Sequence, residues 1–402
     1  MQPVAPNPHP AGFDYQPRTR LVFGENALER LGELAREAGG RRVLLVTDQG
    51  IVAAGHAERA GKSLTDAGLS ASVFAEVREN PTTVDVARCV AAARAHAADL
   101  LVGLGGGSAM DTAKGCNFVY TNGGDMRDYW GVGKATLPML PLIAIPTNAG
   151  TGSECQSASL IADEQTHQKM ACLDPKAAAR VALLDPGLTV SQPPRVTACT
   201  GLDAIAHAVE TAVTRKRNPV SLMYALEAFK RLVPAFPRVL ANPRDLPARG
   251  EMLLGAAFAG LAIENSMLGA AHACANPLTA HYGIAHGEAV GLMLPAVVRF
   301  NAADKAARLA YAELASAPEI ACVSDGLEPA VAALIDQLDD FLKLAGFPRS
   351  LAERGLERSA IPMLAAEAAK QWTAQFNPRP LTVPDFAALY EAAFAPRVAT
   401  PR

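Results

Sequence analysis

The first half of the chain alternates between short apolar runs and longer segments with helical spacing. The apolar runs cover residues 43–47, 100–104, 142–145 and 181–184. Ala-rich segments with helical spacing lie between the first of these runs, at 27–37, 51–67, 84–98 and 109–119. Continuous apolar strands that alternate with helices are typical of a parallel sheet covered on both faces. The pattern therefore predicts an α/β fold, and it fades after about Asp185.

The second half of the chain lacks this alternation. Two prolines at Ser191-Gln192-Pro193-Pro194 mark the best candidate boundary, because they stop a preceding element and allow a new helix to begin. Beyond it, Ala- and Leu-rich segments repeat at helical spacing, for example at 220–232, 252–263, 330–344 and 384–394. We therefore predict an α/β domain at residues 1–192 and an all-helical domain at 193–402. Residues 1–17 contain five prolines and are predicted to form an arm.

Composition limits the class of protein. Of 402 residues, 50% are hydrophobic and 19% charged, and the net charge of -3 gives no reason to expect a nucleic-acid partner. The longest apolar runs, such as 252–263, fall short of a membrane span of ~20 residues. No secretory signal is predicted. The seven cysteines are scattered without a Cys-x-x-Cys pair, which favours a reducing compartment and hence a cytoplasmic protein.

A glycine turn follows the second apolar run. Leu104 leads into Gly105-Gly106-Gly107-Ser108, and the next segment has helical spacing and carries Asp111 and Lys114. A strand, a glycine turn and a helix N-terminus together suit a phosphate group, because backbone amides can approach its oxygens closely. The motif is neither Gly-x-Gly-x-x-Gly nor a Walker loop. A tight turn without a ligand is the alternative.

Two further segments end strands in the same half. Asp48 follows the run at 43–47, where a carboxylate can accept the ribose hydroxyls of a dinucleotide and repel a 2′-phosphate; it can equally cap the next helix. The loop at 145–154 is rich in small and hydroxyl residues, which suits a pyrophosphate and nicotinamide site or a plain connection. All three segments are expected at the carboxyl ends of strands, where open α/β sheets bind ligands.

The second half contains a group of possible metal ligands. Asp203 and His207 lie four positions apart and so share one face of a helix. His272 and His286 follow in one later region, and Pro277 between them is expected to limit helix continuation, which places His286 on a loop or the next helix. A carboxylate with three imidazoles is a plausible ligand set for iron or zinc. Structural histidines are the alternative, and spacing alone leaves both open.

Several motifs in the same order resemble those of the iron-containing (group III) alcohol dehydrogenases, which include lactaldehyde reductase and 1,3-propanediol dehydrogenase types. The resemblance runs from Arg20 to about Asn301. The motifs are Val46-Thr47-Asp48, Asn80-Pro81-Thr82, Gly105-Gly106-Gly107-Ser108 with Asp111 and Lys114, the loop from Pro146 to Glu154, Asp185-Pro186, Gly201-Leu202-Asp203-Ala204 with His207 and Glu210, and His286-Gly287.

This resemblance implies an N-terminal α/β dinucleotide-binding domain and a C-terminal helical domain with the site in the cleft, in the fold that dehydroquinate synthase shares. It implies that Asp203, His207, His272 and His286 bind a metal ion, with Fe²⁺ expected and Zn²⁺ possible. The implied nucleotide contacts are Asp48, Gly106, Gly107, Ser108, Asp111, Thr147, Asn148, Thr151, Ser153 and Lys169. A homodimer is the family expectation.

Two positions depart from the family pattern. Many members carry a further histidine where this chain has Asn276, and an asparagine amide does not shuttle a proton at neutral pH. His281 does not match that motif position and is interpreted as structural. Asn148 replaces a common threonine and keeps a polar side chain. The metal ligands are therefore expected to be intact, whereas the proton path is the doubtful part of the site.

The predicted function is reversible NAD(H)-linked hydride transfer between a small or primary alcohol and its aldehyde or ketone. NAD is preferred to NADP in this interpretation because of Asp48. Metal-free maleylacetate reductases of the same fold lack the full ligand set, so the four ligands argue against them. Two alternatives stay open: an oxoacid–hydroxyacid transhydrogenase of the same fold, and a non-catalytic nucleotide-binding regulatory protein.

Overall fold

A computed structural model of the protein describes residues 12–166 and 168–394. Backbone contacts divide these residues into two units. One consists of Pro17–Ala204 and Pro234–Gly260, and the other consists of residues 12–16, 205–233 and 261–394. Three of the four divisions fall inside long helices. Most of the predicted N-terminal arm, residues 1–11, lies outside the described residues, and residues 12–17 have no regular secondary structure.

Nine strands occur in the described residues, all of them in the first unit. They are β1 Arg20–Phe23, β2 Arg42–Val46, β3 Ser70–Phe74, β4 Leu100–Gly105, β5 Gly131–Val132, β6 Leu142–Pro146, β7 Ala158–Ala162, β8 Lys169–Leu173 and β9 Val181–Leu184. Six of them form a parallel sheet in the order β1-β9-β6-β4-β2-β3. The predicted parallel sheet is therefore confirmed.

Fourteen α-helices occur in the described residues. They are α1 Leu31–Glu37, α2 Gln49–Ala53, α3 His56–Asp66, α4 Thr83–His96, α5 Gly107–Asn122, α6 Pro194–Thr211, α7 Pro219–Ala241, α8 Leu246–Ser266, α9 Ala270–Tyr282, α10 His286–Asn301, α11 Lys305–Ser316, α12 Leu327–Leu344, α13 Ile361–Ala368 and α14 Val383–Phe394. Between residues 193 and 394 the structure contains helices and no strand, as the sequence predicts.

Residues of strands β2, β4 and β6 enter two separate cores. Val43 and Leu45 of β2 belong to a cluster that includes α1 and α3, whereas Leu44 and Val46 belong to a cluster that includes α4 and α5. Because successive side chains of a strand point to opposite faces, both faces of this sheet are buried under helices. This explains why the strands appear in the sequence as continuous apolar runs.

Strands β5, β8 and β7 form a second, smaller sheet in that order, with β7 and β8 antiparallel. This sheet was not predicted from the sequence, because β7 has alternating buried and half-buried residues and β5 has only two residues. Both edge strands of the main sheet, β1 and β3, were likewise not predicted; β3 contains two serines, and β1 has only one buried residue. Short, partly exposed strands lack the long apolar run that marks a central strand.

Several prolines lie inside helices, where the sequence predicts that a helix ends. Pro277 does not end α9, which continues to Tyr282 and buries most of its length. The expectation that Pro277 limits helix continuation is therefore wrong, although His286 does lie on the next helix as its first residue. Pro234 and Pro237 are likewise inside α7. Packing of a buried helix offsets the lost backbone hydrogen bond that each proline imposes.

Helix α8 is long and apolar enough, by length and composition alone, to cross a membrane. However, 72% of its most apolar stretch is buried inside the protein. A helix that is apolar on all sides and covered by its neighbours has the character of a core helix.

Candidate metal centre and nucleotide-binding loops

The glycine turn between β4 and α5 has no space for side chains. Gly106 caps the N-terminus of α5, and a Cβ atom built on it would lie 2.7 Å from Nδ2 of Asn148. A Cβ atom on Gly107 would lie 2.9 Å from Cγ2 of Thr151. Two polar residues of the loop after β6 thus approach the backbone of this turn. The turn thus presents the first backbone amides of α5 at a helix N-terminus, which is the arrangement that a phosphate site requires.

Asp48 lies beside the glycine turn at the end of β2. A Cβ atom on Gly105 would be 3.4 Å from its Oδ2 atom, so the carboxylate approaches the turn closely. Its Oδ1 atom also accepts a hydrogen bond of 3.0 Å from the backbone amide of Ile51 and caps α2. The two interpretations of Asp48 from the sequence are compatible, since one oxygen caps the helix and the other faces the turn.

The loop after β6 is held at the same edge of the sheet. The backbone amide of Thr147 donates to the carbonyl oxygen of Gly105 at 3.0 Å. Farther along the loop, Gly152 adopts a left-handed conformation with φ of 62°, and a Cβ atom there would lie 2.6 Å from Cα of Gly260 in α8. The loop therefore contacts the glycine turn at one end and α8 at the other.

Lys114 fixes the end of this loop from inside the protein. Its fully buried ammonium donates to the carbonyl oxygens of Ser153 and Ala158 at 2.6 and 2.9 Å, and to Oγ of Ser153 at 2.8 Å. The Ser153 hydroxyl in turn donates to Oδ1 of Asp111 at 2.9 Å. Burial raises the pKa of Asp111, and the charges of Lys114 and the exposed Lys169 oppose that shift. Lys114 thus holds protein atoms of the loop.

Glu154 follows Ser153 and is buried. Burial raises the pKa of its carboxyl to about 7, although a backbone hydrogen bond and the nearby charge of Lys114 act in the opposite direction. Glu154 ends one of the sequence motifs, but no role was predicted for it from the sequence. Its burial was not visible there, because a loop of small polar residues is normally exposed.

The possible metal ligands converge in the structure. Asp203 and His207 lie one turn apart on α6, and His272 lies in the first turn of α9. All three are buried, and each offers a ligand atom within 4.8 Å of the others. The rings of His207 and His272 are stacked with centroids 4.8 Å apart. The structure thus brings together three of the four residues predicted as ligands.

His286 lies next to this group as the first residue of α10. Its ring centroid is 5.3 Å from that of His272, and the two rings are inclined by 56°. It is not one of the three residues whose ligand atoms cluster most closely. It nonetheless lies beside His272, at the start of the helix that follows α9.

The carboxylate of Glu210 adds a partner behind His272. It is buried, and one oxygen contacts Nδ1 of His272 in a short hydrogen bond while the other accepts from the backbone amide of Ala271 at 2.7 Å. A carboxylate on Nδ1 fixes the ring so that Nε2 is the ligand nitrogen, as is usual for metal-binding histidines. No role was predicted for Glu210 from the sequence. The spacing of Asp203, His207 and Glu210 along one helix face was the available signal.

Asn276 and His281 both lie on α9, and their side chains have hydrogen-bond partners outside the group of possible metal ligands. Nδ2 of Asn276 donates to Oε1 of Gln371 at 2.9 Å, so two neutral amides are paired at the position where the family often has a histidine. His281 is partly exposed and lies 2.7 Å from Oε2 of Glu367 on α13. Neither residue is among the clustered ligands.

The donor set suits a divalent transition metal. One carboxylate and two imidazoles in a buried position, with Glu210 behind one imidazole, match the ligands that iron and zinc take in proteins. A parallel sheet with a glycine turn at a helix N-terminus is typical of dinucleotide-binding proteins. The fold and the site together define a metal-dependent, nucleotide-binding dehydrogenase class.

Comparisons with known proteins identify the family. The family model for iron-containing alcohol dehydrogenases matches residues 17–186, and that for the C-terminal part of the Fe-containing alcohol dehydrogenase family matches residues 197–394. The chain belongs to the iron-containing alcohol dehydrogenase family. The NAD-dependent methanol dehydrogenase of Bacillus methanolicus is 34% identical over 92% of this chain and 97% of its own.

Solved structures agree with this membership. A 1,3-propanediol oxidoreductase matches with a TM-score of 0.92 and 31% identity, over 96% of this chain and 100% of its own. A sulfoacetaldehyde reductase from Bifidobacterium kashiwanohense, solved in complex with NAD⁺, matches with a TM-score of 0.86 and 29% identity over 95% of this chain and 99% of its own. The predicted family and fold are confirmed.

Proposed function

We propose that this protein is an NAD(H)-linked alcohol dehydrogenase that interconverts a small or primary alcohol and its aldehyde or ketone. The observation that carries the proposal is the buried group Asp203, His207 and His272, with Glu210 behind His272. When bound, a divalent metal ion would act as a Lewis acid on the substrate oxygen, and nicotinamide would give or take the hydride. We expect Fe²⁺, and Zn²⁺ accepts the same ligands.

Asp203, His207, His272 and His286 are the proposed ligands. Glu210 would keep His272 in the tautomer that presents Nε2. The buried surroundings would exclude bulk water from the group, which strengthens electrostatic interactions there. The paired amides of Asn276 and Gln371 would orient neighbouring groups and would not carry a proton, because an amide does not titrate near neutral pH.

The proposed cofactor site comprises the glycine turn, Asp48 and the loop after β6. Backbone amides at the start of α5 would bind the pyrophosphate, and the free face of the Asp48 carboxylate would accept the ribose hydroxyls. The same negative charge would repel a 2′-phosphate, so NAD is preferred to NADP. The full set of proposed contacts is Asp48, Gly106, Gly107, Ser108, Asp111, Thr147, Asn148, Thr151, Ser153 and Lys169.

We further propose that residues 1–192 serve the dinucleotide and residues 193–402 serve the metal ion and the substrate. A homodimer in the cytoplasm is the proposed form of the enzyme. All seven cysteines are free, which supports a reducing compartment. Tyr15, in the described part of the N-terminal arm, is hydrogen bonded through its hydroxyl to that of Tyr224 at 2.9 Å, so this end of the arm packs on its own chain.

Metal analysis of anaerobically purified protein, combined with a panel of alcohols and aldehydes and NAD(H), tests the proposal. We expect a bound divalent metal in stoichiometric amount and NADH formation with at least one small alcohol. Binding of NADH without any turnover would favour the non-catalytic regulatory alternative instead. Exchange of hydride between a hydroxyacid and an oxoacid without release of NADH would indicate a transhydrogenase.

A further inference from the structure

Arg249 is a buried cation with only neutral partners. It lies in the first turn of α8, and its Nε atom donates to the carbonyl oxygen of Pro243 at 3.0 Å. Its Nη1 atom donates to Oε1 of Gln192 at 3.3 Å and to Oγ1 of Thr197 at 3.1 Å. Among the described residues, no carboxylate pairs with it, and its Nη2 atom has no hydrogen-bond partner. Burial lowers the pKa of this guanidinium.

Such a residue is costly for the fold. A guanidinium that leaves water without gaining a carboxylate loses hydration that three neutral hydrogen bonds replace only in part. Thr197 lies in the first turn of α6 and Arg249 in that of α8, so two helix N-termini add positive partial charge around it. An apolar side chain of similar length would avoid these costs. The benefit of Arg249 must therefore come from the geometry that its hydrogen bonds impose.

That geometry connects Arg249 to the loop after β6. Gln192, whose Oε1 atom accepts from Arg249, donates through Nε2 to Oγ1 of Thr200 at 3.0 Å. Thr200 lies directly against Gly150, where an added Cβ atom would be 2.5 Å from Cβ of Thr200 and 2.9 Å from its Cα. The hydrogen bonds thus run from Arg249 through Gln192 to the point where α6 contacts the loop.

We infer that Arg249 is a positioning residue for the cofactor-binding loop. Through Gln192 and Thr200 it holds the first turns of α6 against Gly150, and so fixes the loop that carries Thr147, Asn148 and Thr151. The inference rests on the proposed function, because it assigns that loop to NAD(H). None of the three hydrogen bonds of Arg249 reaches the glycine turn or the loop itself.

Three substitutions interrupt the connection at successive points: Arg249→Met, Gln192→Leu and Thr200→Val. Arg249→Met removes all three hydrogen bonds of the guanidinium, Gln192→Leu removes the bonds to Arg249 and Thr200, and Thr200→Val removes the bond from Gln192. Each keeps much of the side-chain volume. We expect each to raise KM for NADH by roughly 3- to 10-fold, the effect of one lost buried hydrogen bond, with kcat at saturating cofactor changed much less. The double variant Arg249→Met/Gln192→Leu should match the single variants, because both act on the same connection.

Arg238→Met is the matched control. Arg238 belongs to the same unit, but it is half exposed and paired with Asp245 at 2.9 Å. Its replacement should leave KM for NADH unchanged. If Arg249→Met does not fold, Gln192→Leu and Thr200→Val still test the connection, because neither removes the buried cation.

Two measurements, made at equal metal content, separate the possible outcomes. Steady-state kinetics gives KM for NADH, and the fluorescence of the cofactor gives its Kd. Raised KM and Kd for NADH in the three variants, with unchanged metal content, support the inference. A lower melting temperature with KM and Kd unchanged would mean that Arg249 is only structural and would overturn it. If the wild-type protein neither binds nor uses NADH, the proposed function fails, and this inference fails with it. A wild-type enzyme that uses NADH, together with variants whose KM and Kd for NADH equal those of the wild type, would refute the inference alone.

Discussion

The carboxylate of Glu210 contacts Nδ1 of His272 and at the same time accepts a hydrogen bond from the backbone amide of Ala271. A single buried side chain thereby fixes both the orientation of a proposed ligand ring and the start of the helix that carries it. We expect Glu210→Ala to lower the affinity for the metal ion by about 10- to 100-fold, the usual effect of losing such an outer partner. Titration of apoprotein with Fe²⁺ or Zn²⁺ measures this directly.

Glu210→Gln is the control for that experiment, because its amide oxygen can still accept from Nδ1 of His272. We expect it to retain more metal affinity than Glu210→Ala. Equal metal binding by the wild-type protein and Glu210→Ala would show that Glu210 does not support the ligand.

Two histidines on α9 should respond differently to substitution. His272→Ala removes a ligand from the clustered group, so it should abolish both bound metal and alcohol oxidation while leaving the fold intact. His281→Ala changes a partly exposed residue of the same helix, which pairs with Glu367 on α13, and it should retain metal and turnover. Metal content, activity and circular dichroism of the two variants provide the comparison. Stoichiometric metal and full turnover in His272→Ala would refute the ligand assignment.

Asp48 combines a structural and a proposed recognition role that substitution can separate. Asp48→Asn keeps a good helix cap for α2 but removes the negative charge. We expect it to lower KM for NADPH with little change in stability, because repulsion of the 2′-phosphate is lost. Asp48→Ala should in addition lose about 1 kcal/mol of stability with the cap. Kinetics with NADH and NADPH and thermal unfolding measure the two effects. A wild-type protein that uses both cofactors equally well would contradict the role in recognition.

The sequence alone predicted the central strands of the main sheet and most of the helices. Strands β2, β4, β6 and β9 are buried on both faces, and this burial produces the continuous apolar runs that mark them. The edge strands β1 and β3 and the small sheet have no such continuous buried run and were not predicted. The length of α9 was also wrong in the prediction, because the penalty of Pro277 is local whereas the packing that offsets it comes from distant residues.

The site shows the same limit. Helical spacing brought Asp203 and His207 onto one face, but the convergence of His272 with them depends on tertiary packing. The spacing of residues left open whether His272 joins Asp203 and His207, and only the resemblance to a family predicted it. The roles of Lys114 and Arg249 were invisible in the sequence, because their partners are backbone carbonyls and neutral side chains far along the chain.

The raised pKa of Glu154 predicts a change of stability with pH. The carboxyl has a pKa of about 7 in the folded protein against 4.5 as the reference value, so the folded state binds the proton more tightly than the unfolded state does. Its contribution is fully present below about pH 4.5 and is lost as the pH rises through about 7. The loss amounts to about 3 kcal/mol at most, at ~1.4 kcal/mol per pH unit between these two values. The free energy of unfolding should fall accordingly between pH 5 and 8.

Glu154→Gln isolates this contribution, because the neutral amide has nearly the same shape and cannot ionise. We expect the variant to match the wild-type protein near pH 4 and to be more stable than it near pH 8 by up to about 3 kcal/mol. Urea unfolding of both proteins across this range gives the difference, and contributions of the other titrating groups cancel in it. Glu79→Gln, at an exposed carboxylate, is the control for the change of residue type. A difference between wild type and Glu154→Gln that does not change with pH would mean that Glu154 titrates normally despite its burial.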